Sequence, residues 1–249
     1  MLQTYKRQEG GNLLSGHLAL ITGASGGVGE AIALAFARQG ARVCALGRNP
    51  AALETVVEAA RAHSEAVGFQ VDLTKDEDLQ GPAKYLAEAG GVSILVHSAG
   101  IHHQDPLEYA RISDFDLQYL TNVRAPYRLT QLLLPQLVAT RGQIVFINSS
   151  SGITAKPMSA QYDATKHALK AIADSLRGEV NQHGVRVLSV YLGRTATDMQ
   201  AHIHASEGKR YQPELLLQPA DVASVIVNSL RLPRTAEVTD VHIRPMIKS

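Results

Sequence analysis

A doubly wound α/β fold, with seven parallel strands and helices on both sheet faces, is what this sequence predicts, on three observations. Short apolar runs of β type alternate with longer helical patterns from His17 to Ile243. The short runs are apolar throughout rather than at every second residue, as strands covered on both faces must be. No composition break, repeat or low-complexity stretch divides them. Residues 16–249 therefore read as one domain behind a polar, flexible N-terminal extension, residues 1–15.

The elements follow in order. His17–Thr22 is the first expected strand, and a glycine-rich turn leads into a helix at Gly29–Gln39. Ala41–Leu46 is the second strand. Pro50–His63 is a helix whose proline sits early, where its missing N–H does no harm. Ala66–Val71, Asp76–Ala89 and Val92–His97 read as strand, helix and strand. The helical stretch Ile112–Ala139 contains Pro126 and Pro135, so a kink or break is expected within it. Gln143–Asn148, Ser159–His183 and Val185–Tyr191 are strand, helix and strand. Leu192–Gln218 reads as one long irregular segment beyond a strand's carboxyl end. Ligands bind there in such sheets, and a loop of that length is usually functional, often a lid. Pro219–Leu230 is a helix and Val238–Ile243 the last strand.

Composition narrows the function classes. The net charge of +1 gives no electrostatic footprint for nucleic acid or an acidic membrane. The single cysteine, Cys44, lies in an apolar run, which excludes an intrachain disulfide and fits a reducing compartment. No apolar run approaches the ~20 residues of a membrane span, and the first residues lack the apolar core of a secretory signal. The reading is a cytoplasmic protein.

The first strand runs into Thr22-Gly23-Ala24-Ser25-Gly26-Gly27-Val28-Gly29, and a helix follows at once. Glycines let backbone approach a pyrophosphate closely, and the helix N-terminus offers free N–H groups to it. Strand, glycine turn and helix in this order are the context a dinucleotide fingerprint requires. The second strand ends in Leu46-Gly47-Arg48-Asn49, with no carboxylate for ribose hydroxyls. Arg48 suits a 2′-phosphate instead, and such charge-assisted bonds contribute roughly 1.5–3 kcal/mol, so NADP(H) is the expected cofactor. Asp72, which ends the third strand, either meets the adenine edge or caps the next helix.

Tyr162 and Lys166 stand four residues apart in a helical stretch and project from one face. Free tyrosine titrates near pH 10. An ammonium about 4–5 Å away, at an effective dielectric of ~20, stabilises the phenolate by up to ~4 kcal/mol. That amounts to roughly three pKa units, which brings the phenol toward neutrality, where general acid–base catalysis works best.

Together these pieces resemble the short-chain dehydrogenase/reductase family, from about Gly16 to Ser249. The motifs that carry the resemblance are the Gly-x-x-x-Gly-x-Gly turn, Asp72, His97-Ser98-Ala99-Gly100, Asn122, Ser149 and Tyr162-x-x-x-Lys166. Ser149 is chosen from a run of three serines because its thirteen-residue step to Tyr162 matches the family's separation. The resemblance implies a Rossmann fold and NADP(H)-dependent interconversion of a small-molecule carbonyl and an alcohol; with NADPH as cofactor, a pool that cells keep reduced, carbonyl reduction is the expected direction. Tyr162 would pass the proton. Lys166 would lower its pKa and hold the nicotinamide ribose, Ser149 would hold the substrate oxygen, and Asn122 would hold a water linking Lys166 to solvent. Cofactor contacts are expected at Gly23, Ser25, Gly27, Val28, Gly29, Arg48, Asp72, Leu73, Ser98, Ala99, Gly100, Gly193, Thr195 and Thr197, and from Tyr162 and Lys166 themselves. A homo-oligomer, tetramer or dimer, is implied through the helices carrying Asn122 and Tyr162.

The chain departs from the family pattern at His97-Ser98, where many members have Asn-Asn, and at Leu192, where they have proline. His97 is expected to bond adjacent backbone. No metal is expected, because no HExxH motif or cysteine pair supports one. His102, His103, His202 and His204 are expected to line the substrate mouth or to face water. The alternatives are a non-catalytic cofactor-binding scaffold of the same fold, or a relative catalysing epimerisation or dehydration.

Overall fold

The computed structural model describes residues 12–247. Its sheet has seven strands in the order β3-β2-β1-β4-β5-β6-β7, every pair parallel. The strands are β1 Leu18–Thr22, β2 Arg42–Gly47, β3 Ala66–Gln70, β4 Ile94–His97, β5 Gln143–Ser149, β6 Arg186–Leu192 and β7 Asp240–Ile243. The order reverses between β1 and β4. In such sheets a crevice opens at the carboxyl ends beside that reversal.

Two apolar cores flank the sheet, and neighbouring residues of one strand feed different cores. Ala19 and Ile21 of β1 point into the core shared with α1 Gly27–Arg38, α2 Pro50–Arg61 and α8 Pro219–Leu230. Leu18 and Leu20 point into the other, shared with α3 Gln80–Glu88, α5 Ala125–Ala139 and α6 Ala160–Val180. Both side-chain rows are buried, which is why the strand sequences show no alternation. Helix α7 Asp198–Ser206 lines the crevice, and α4 Ile112–Tyr119 packs against α6.

Several expectations are corrected. Of the expected extension, residues 1–11 lie outside the described residues. Residues 12–15 belong to the fold: Leu14 is buried in the first core and its N–H bonds the Gln39 carbonyl at 2.9 Å. The stretch Ile112–Ala139 does break, but ahead of either proline, in a π turn at Leu120–Arg124. Pro126 then sits in the first turn of α5, where its missing N–H leaves the Asn122 carbonyl of the preceding turn without a helical donor. Pro135 stays inside α5, with both Pro135 and Gln131, four residues back, exposed. Water can therefore take the carbonyl that Pro135 leaves without a donor. The segment Leu192–Gln218 is not irregular throughout, since α7 occupies its middle. Among the described residues no helix is long and apolar enough to cross a membrane.

Phe36 of α1 is fully buried in the first core. Phe36→Ala is expected to lower unfolding free energy by about 3–5 kcal/mol, read as a shifted denaturant midpoint at unchanged slope.

Candidate active site

A cleft of about 980 Å³ opens at the carboxyl ends of β1, β4, β5 and β6. Its floor is made by strand ends tied together. Thr22 Oγ1, at the end of β1, accepts the N–H groups of Ser98 and Ala99 at 3.0 and 3.1 Å. Gly23 follows with φ +66°, and a Cβ there would lie 2.8 Å from the Ala99 Cα. At Gly29 a Cβ would meet the Gly23 carbonyl oxygen at 2.2 Å. Any side chain at either place forces backbone apart, so the turn needs glycine at both.

Ser25, Gly27 and Val28 face the same cleft, and no side chain caps α1 at Gly26. The free N–H groups of a helix N-terminus therefore look into it, as a phosphate requires. At the far side of the turn, Arg48 is exposed at the end of β2 and lines the cleft with Leu73 and Asp72. The Asp72 carboxylate accepts both the backbone N–H and the hydroxyl of Thr74, at 3.0 and 2.7 Å. Its hydroxyl partner above all holds its pKa below the ordinary carboxylate value. The next helical turn begins only at Glu77, so the helix-cap alternative for Asp72 is not realised.

The other end of the cleft carries Ser149, Tyr162 and Lys166. Ser149 ends β5, and its hydroxyl accepts the Ser151 N–H at 3.1 Å. Tyr162 and Lys166 lie one turn apart on α6. Lys166 is only 5% exposed. Its Nζ donates to the Ile147 carbonyl at 3.3 Å and lies 5.6 Å from the Tyr162 ring centre. Withdrawal from water lowers the Lys166 amine to about 8. The Tyr162 ring keeps some surface toward the cleft, yet protein crowds it, and burial pushes its phenol up to about 12. The Ser149 hydroxyl acts the other way and Asp163 adds to the rise. The expected approach of the phenol to neutrality is therefore not met by the chain's own groups. The ammonium sits over the ring, and desolvation dominates both groups.

Asn122 lies in the π turn and is fully engaged. Its amide pairs with both backbone groups of Ile101, at 2.9 Å each, and with Thr165 Oγ1 at 3.2 Å. Pro126, four residues on, has no N–H to give the Asn122 carbonyl. Gly100 packs under this group: a Cβ there would lie 3.4 Å from Asn122 Oδ1 and 3.8 Å from Lys166 Nζ.

Gly193, Thr195 and Thr197 line the roof. The buried Thr195 hydroxyl turns back to the Gly193 carbonyl at 3.0 Å. Thr197 caps α7 and lies 3.1 Å from where a Gly27 Cβ would be. Arg194 Nη2 donates to both carboxylate oxygens of Glu207 at 2.8 Å, and Glu207 also takes Lys209 at 2.9 Å.

The histidines separate. His102 reaches the cleft, and its ring stands edge-to-face with Tyr162 at 4.5 Å between centres. His204 is buried on α7 against Arg194 and Gln200, and His202 is exposed. His97 does not bond backbone. Its Nε2 meets Thr130 Oγ1 at 2.8 Å, and its ring stacks on Phe146. Unforeseen was a pair of buried amides beneath the cleft: Gln118 bonds Gln161 at 3.0 Å and accepts the His103 N–H at 3.0 Å. Glutamine on a helix looks like a surface residue in sequence, and the bond from Gln118 to the His103 N–H, fifteen residues away, comes only from the fold.

A glycine turn beneath an uncapped helix and a buried Tyr–Lys pair, in one cleft of a doubly wound sheet, define a class of nucleotide-binding oxidoreductases. Residues 17–208 match the family model for short chain dehydrogenase, and the chain belongs to that family. A short-chain type dehydrogenase/reductase of Sinorhizobium fredii, itself uncharacterised, is 34% identical over 235 residues, 92% of this chain and 91% of that protein. A metagenomic short-chain oxidoreductase solved with NADP is 30% identical, with a TM-score of 0.81 over 95% of this chain and 100% of that one. A 7α-hydroxysteroid dehydrogenase solved with NADH and 7-oxo glycochenodeoxycholic acid is 25% identical, with a TM-score of 0.84 over 93% and 94%.

The Lys166 amine titrates in the folded chain at about 8, below its ordinary 10.5. The folded chain thus loses this proton first, and its stability rises with pH between those values; the cost of the buried charge is in full force below about 8. Lys166→Met is expected to raise stability below pH 8, by on the order of 3 kcal/mol at most. Denaturation across pH 7–10.5 should show the gap between variant and parent closing as pH rises.

Proposed function

We propose that the protein is an NADP(H)-dependent oxidoreductase that interconverts a ketone or aldehyde and an alcohol. The observation that carries this reading is the convergence of Ser149, Tyr162 and Lys166 on the cleft that also holds the uncapped N-terminus of α1. The residues fit a dinucleotide: Gly23 and Gly29 admit no Cβ, and α1 presents unpaired N–H groups where a pyrophosphate would lie. Gly27 and Val28 would hold the phosphates, and Arg48 a 2′-phosphate. Ser98, Ala99 and Gly100 would lie along the ribose and nicotinamide, with Gly193, Thr195 and Thr197 closing over them. NADP bound to one relative and NADH to another support a nicotinamide cofactor, and Arg48 with no neighbouring ribose carboxylate favours the phosphorylated form.

When bound, the nicotinamide supplies or accepts hydride at C4. Tyr162, a phenol held near 12, is protonated at neutral pH and thus in the form that gives a proton to a carbonyl oxygen. Ser149 donates its hydroxyl to that oxygen and steadies the charge that develops there. The Lys166 ammonium stabilises the phenolate that donation leaves behind, and ribose hydroxyls are natural partners for its remaining N–H donors. The Asn122 carbonyl, spared by Pro126, suits a water that returns a proton through Lys166. Leu107, Tyr109, Ile112 and Tyr119, all exposed around α4, are consistent with a homo-oligomer formed on that side.

Tyr162→Phe is expected to lower kcat on the order of 10²–10⁴-fold with cofactor affinity retained. Steady-state loss of NADPH absorbance over ketones, aldehydes and quinones checks it; full-speed turnover in the variant defeats the assignment. Tight cofactor binding without turnover by the parent points to a scaffold, and product without net cofactor consumption to epimerisation or dehydration. Arg48→Ala is expected to reduce the preference for NADPH over NADH by about tenfold to a hundredfold, as the loss of one charge-assisted contact implies. Fluorescence titration with both cofactors reads it.

A further inference from the structure

We propose that His102 reads a hydroxyl on the substrate carbon next to the reacting carbonyl, which makes this a site for α-hydroxy carbonyl compounds and their vicinal diol products. The inference rests on the carbonyl-reductase reading and narrows its substrate class. In reduction the hydride goes to the carbonyl carbon and the Tyr162 proton to its oxygen, while the neighbouring hydroxyl is bound and unchanged.

His102 is a placed residue, fixed from both sides. Before it, both backbone groups of Ile101 are bonded to the Asn122 amide at 2.9 Å. After it, the His103 N–H is held by Gln118 Oε1 at 3.0 Å. Gln118 is fully buried and tied to Gln161, the residue before Tyr162. The backbone that presents His102 and the helix that presents Tyr162 are therefore joined through one amide chain. The two rings meet edge-to-face at 4.5 Å. With the carbonyl oxygen bound at the phenol, a ring in that position meets groups one or two bonds away rather than the substrate's far end.

The imidazole also has unused hydrogen-bonding capacity. No described residue bonds either of its nitrogens, whereas His97, His202 and His204 each bond the protein through a ring nitrogen. It is half-buried and lines the cleft. Burial, then His103, lowers its pKa to about 4, with Lys166 adding to the fall and Asp163 and Glu207 opposing it. The ring is therefore neutral at working pH, with one donor and one acceptor. An uncharged donor–acceptor pair suits a hydroxyl, which is both, and gives a carboxylate no attraction of charge. A half-buried polar group without a partner favours the ligand that supplies one.

The test compares isosteric pairs with NADPH: hydroxyacetone against butanone, and acetoin against 3-methylbutan-2-one. The parent is expected to favour the hydroxylated member in kcat/KM by about tenfold, the upper worth of one neutral hydrogen bond. His102→Phe, which keeps a ring against Tyr162, should bring that ratio near one, the hydroxylated member losing more than the plain ketone. His102→Gln, which keeps a donor and an acceptor, should recover part of the preference. A parent that reduces ketones without favouring the hydroxylated member overturns this proposal alone. So does a ratio that survives in His102→Phe, or an equal loss on both members. A parent that binds NADPH and reduces no carbonyl overturns the reductase reading, and this proposal with it.

Discussion

One ammonium kept out of water is the constraint on which this site depends. Lys166 could not be held at 5% exposure by α6 alone. Its Nζ needs the Ile147 carbonyl at the end of β5, and α6 in turn is pinned there through Asn148, whose amide donates to the Lys166 carbonyl at 3.2 Å. The close fit at Gly152 belongs to the same arrangement: a Cβ there would meet Asn148 Oδ1 at 2.8 Å and the Lys166 carbonyl at 2.9 Å. Strand end, short turn and helix are thus packed backbone to backbone around a charge that folding alone would disfavour. Such a cost persists where function requires it.

The sheet was legible because burial on both faces leaves a plain trace, runs such as Leu18-Ala19-Leu20-Ile21 that are apolar at every step. The glycine turn and the Tyr–Lys pair were legible because their spacing reflects backbone geometry directly. What escaped has a common physical origin in buried polar residues. Helix α7 buries Gln200 and His204 rather than an apolar stripe, so hydrophobic period could not reveal it. Gln118 and Gln161 satisfy each other inside the protein, a partnership between elements that no local pattern encodes. The break in the long helical stretch was expected at a proline and came in the π turn around Asn122, whose side chain is tied to Ile101 and Thr165 in elements distant in sequence.

Burial rather than Coulomb attraction governs the Tyr162–Lys166 pair. Coulomb attraction between Lys166 and Tyr162 was weighed at an effective dielectric fit for an open pair. The structure buries both groups, and desolvation moves each toward its neutral form, the phenol up and the amine down. A nearby ammonium favours the phenolate, but burying that charge costs more, so the phenol's pKa rises. At neutral pH the pair is a protonated phenol beside a protonated amine.

The contact between Thr197 and the glycine turn joins the two ends of the crevice. The Thr197 methyl stands 3.1 Å from where any side chain at position 27 would begin, and its hydroxyl anchors the first turn of α7. The smallest residue at 27 therefore sets how low that helix can rest. Residue size in a phosphate loop, ordinarily thought of in terms of the nucleotide, here also fixes the height of the ceiling above the substrate.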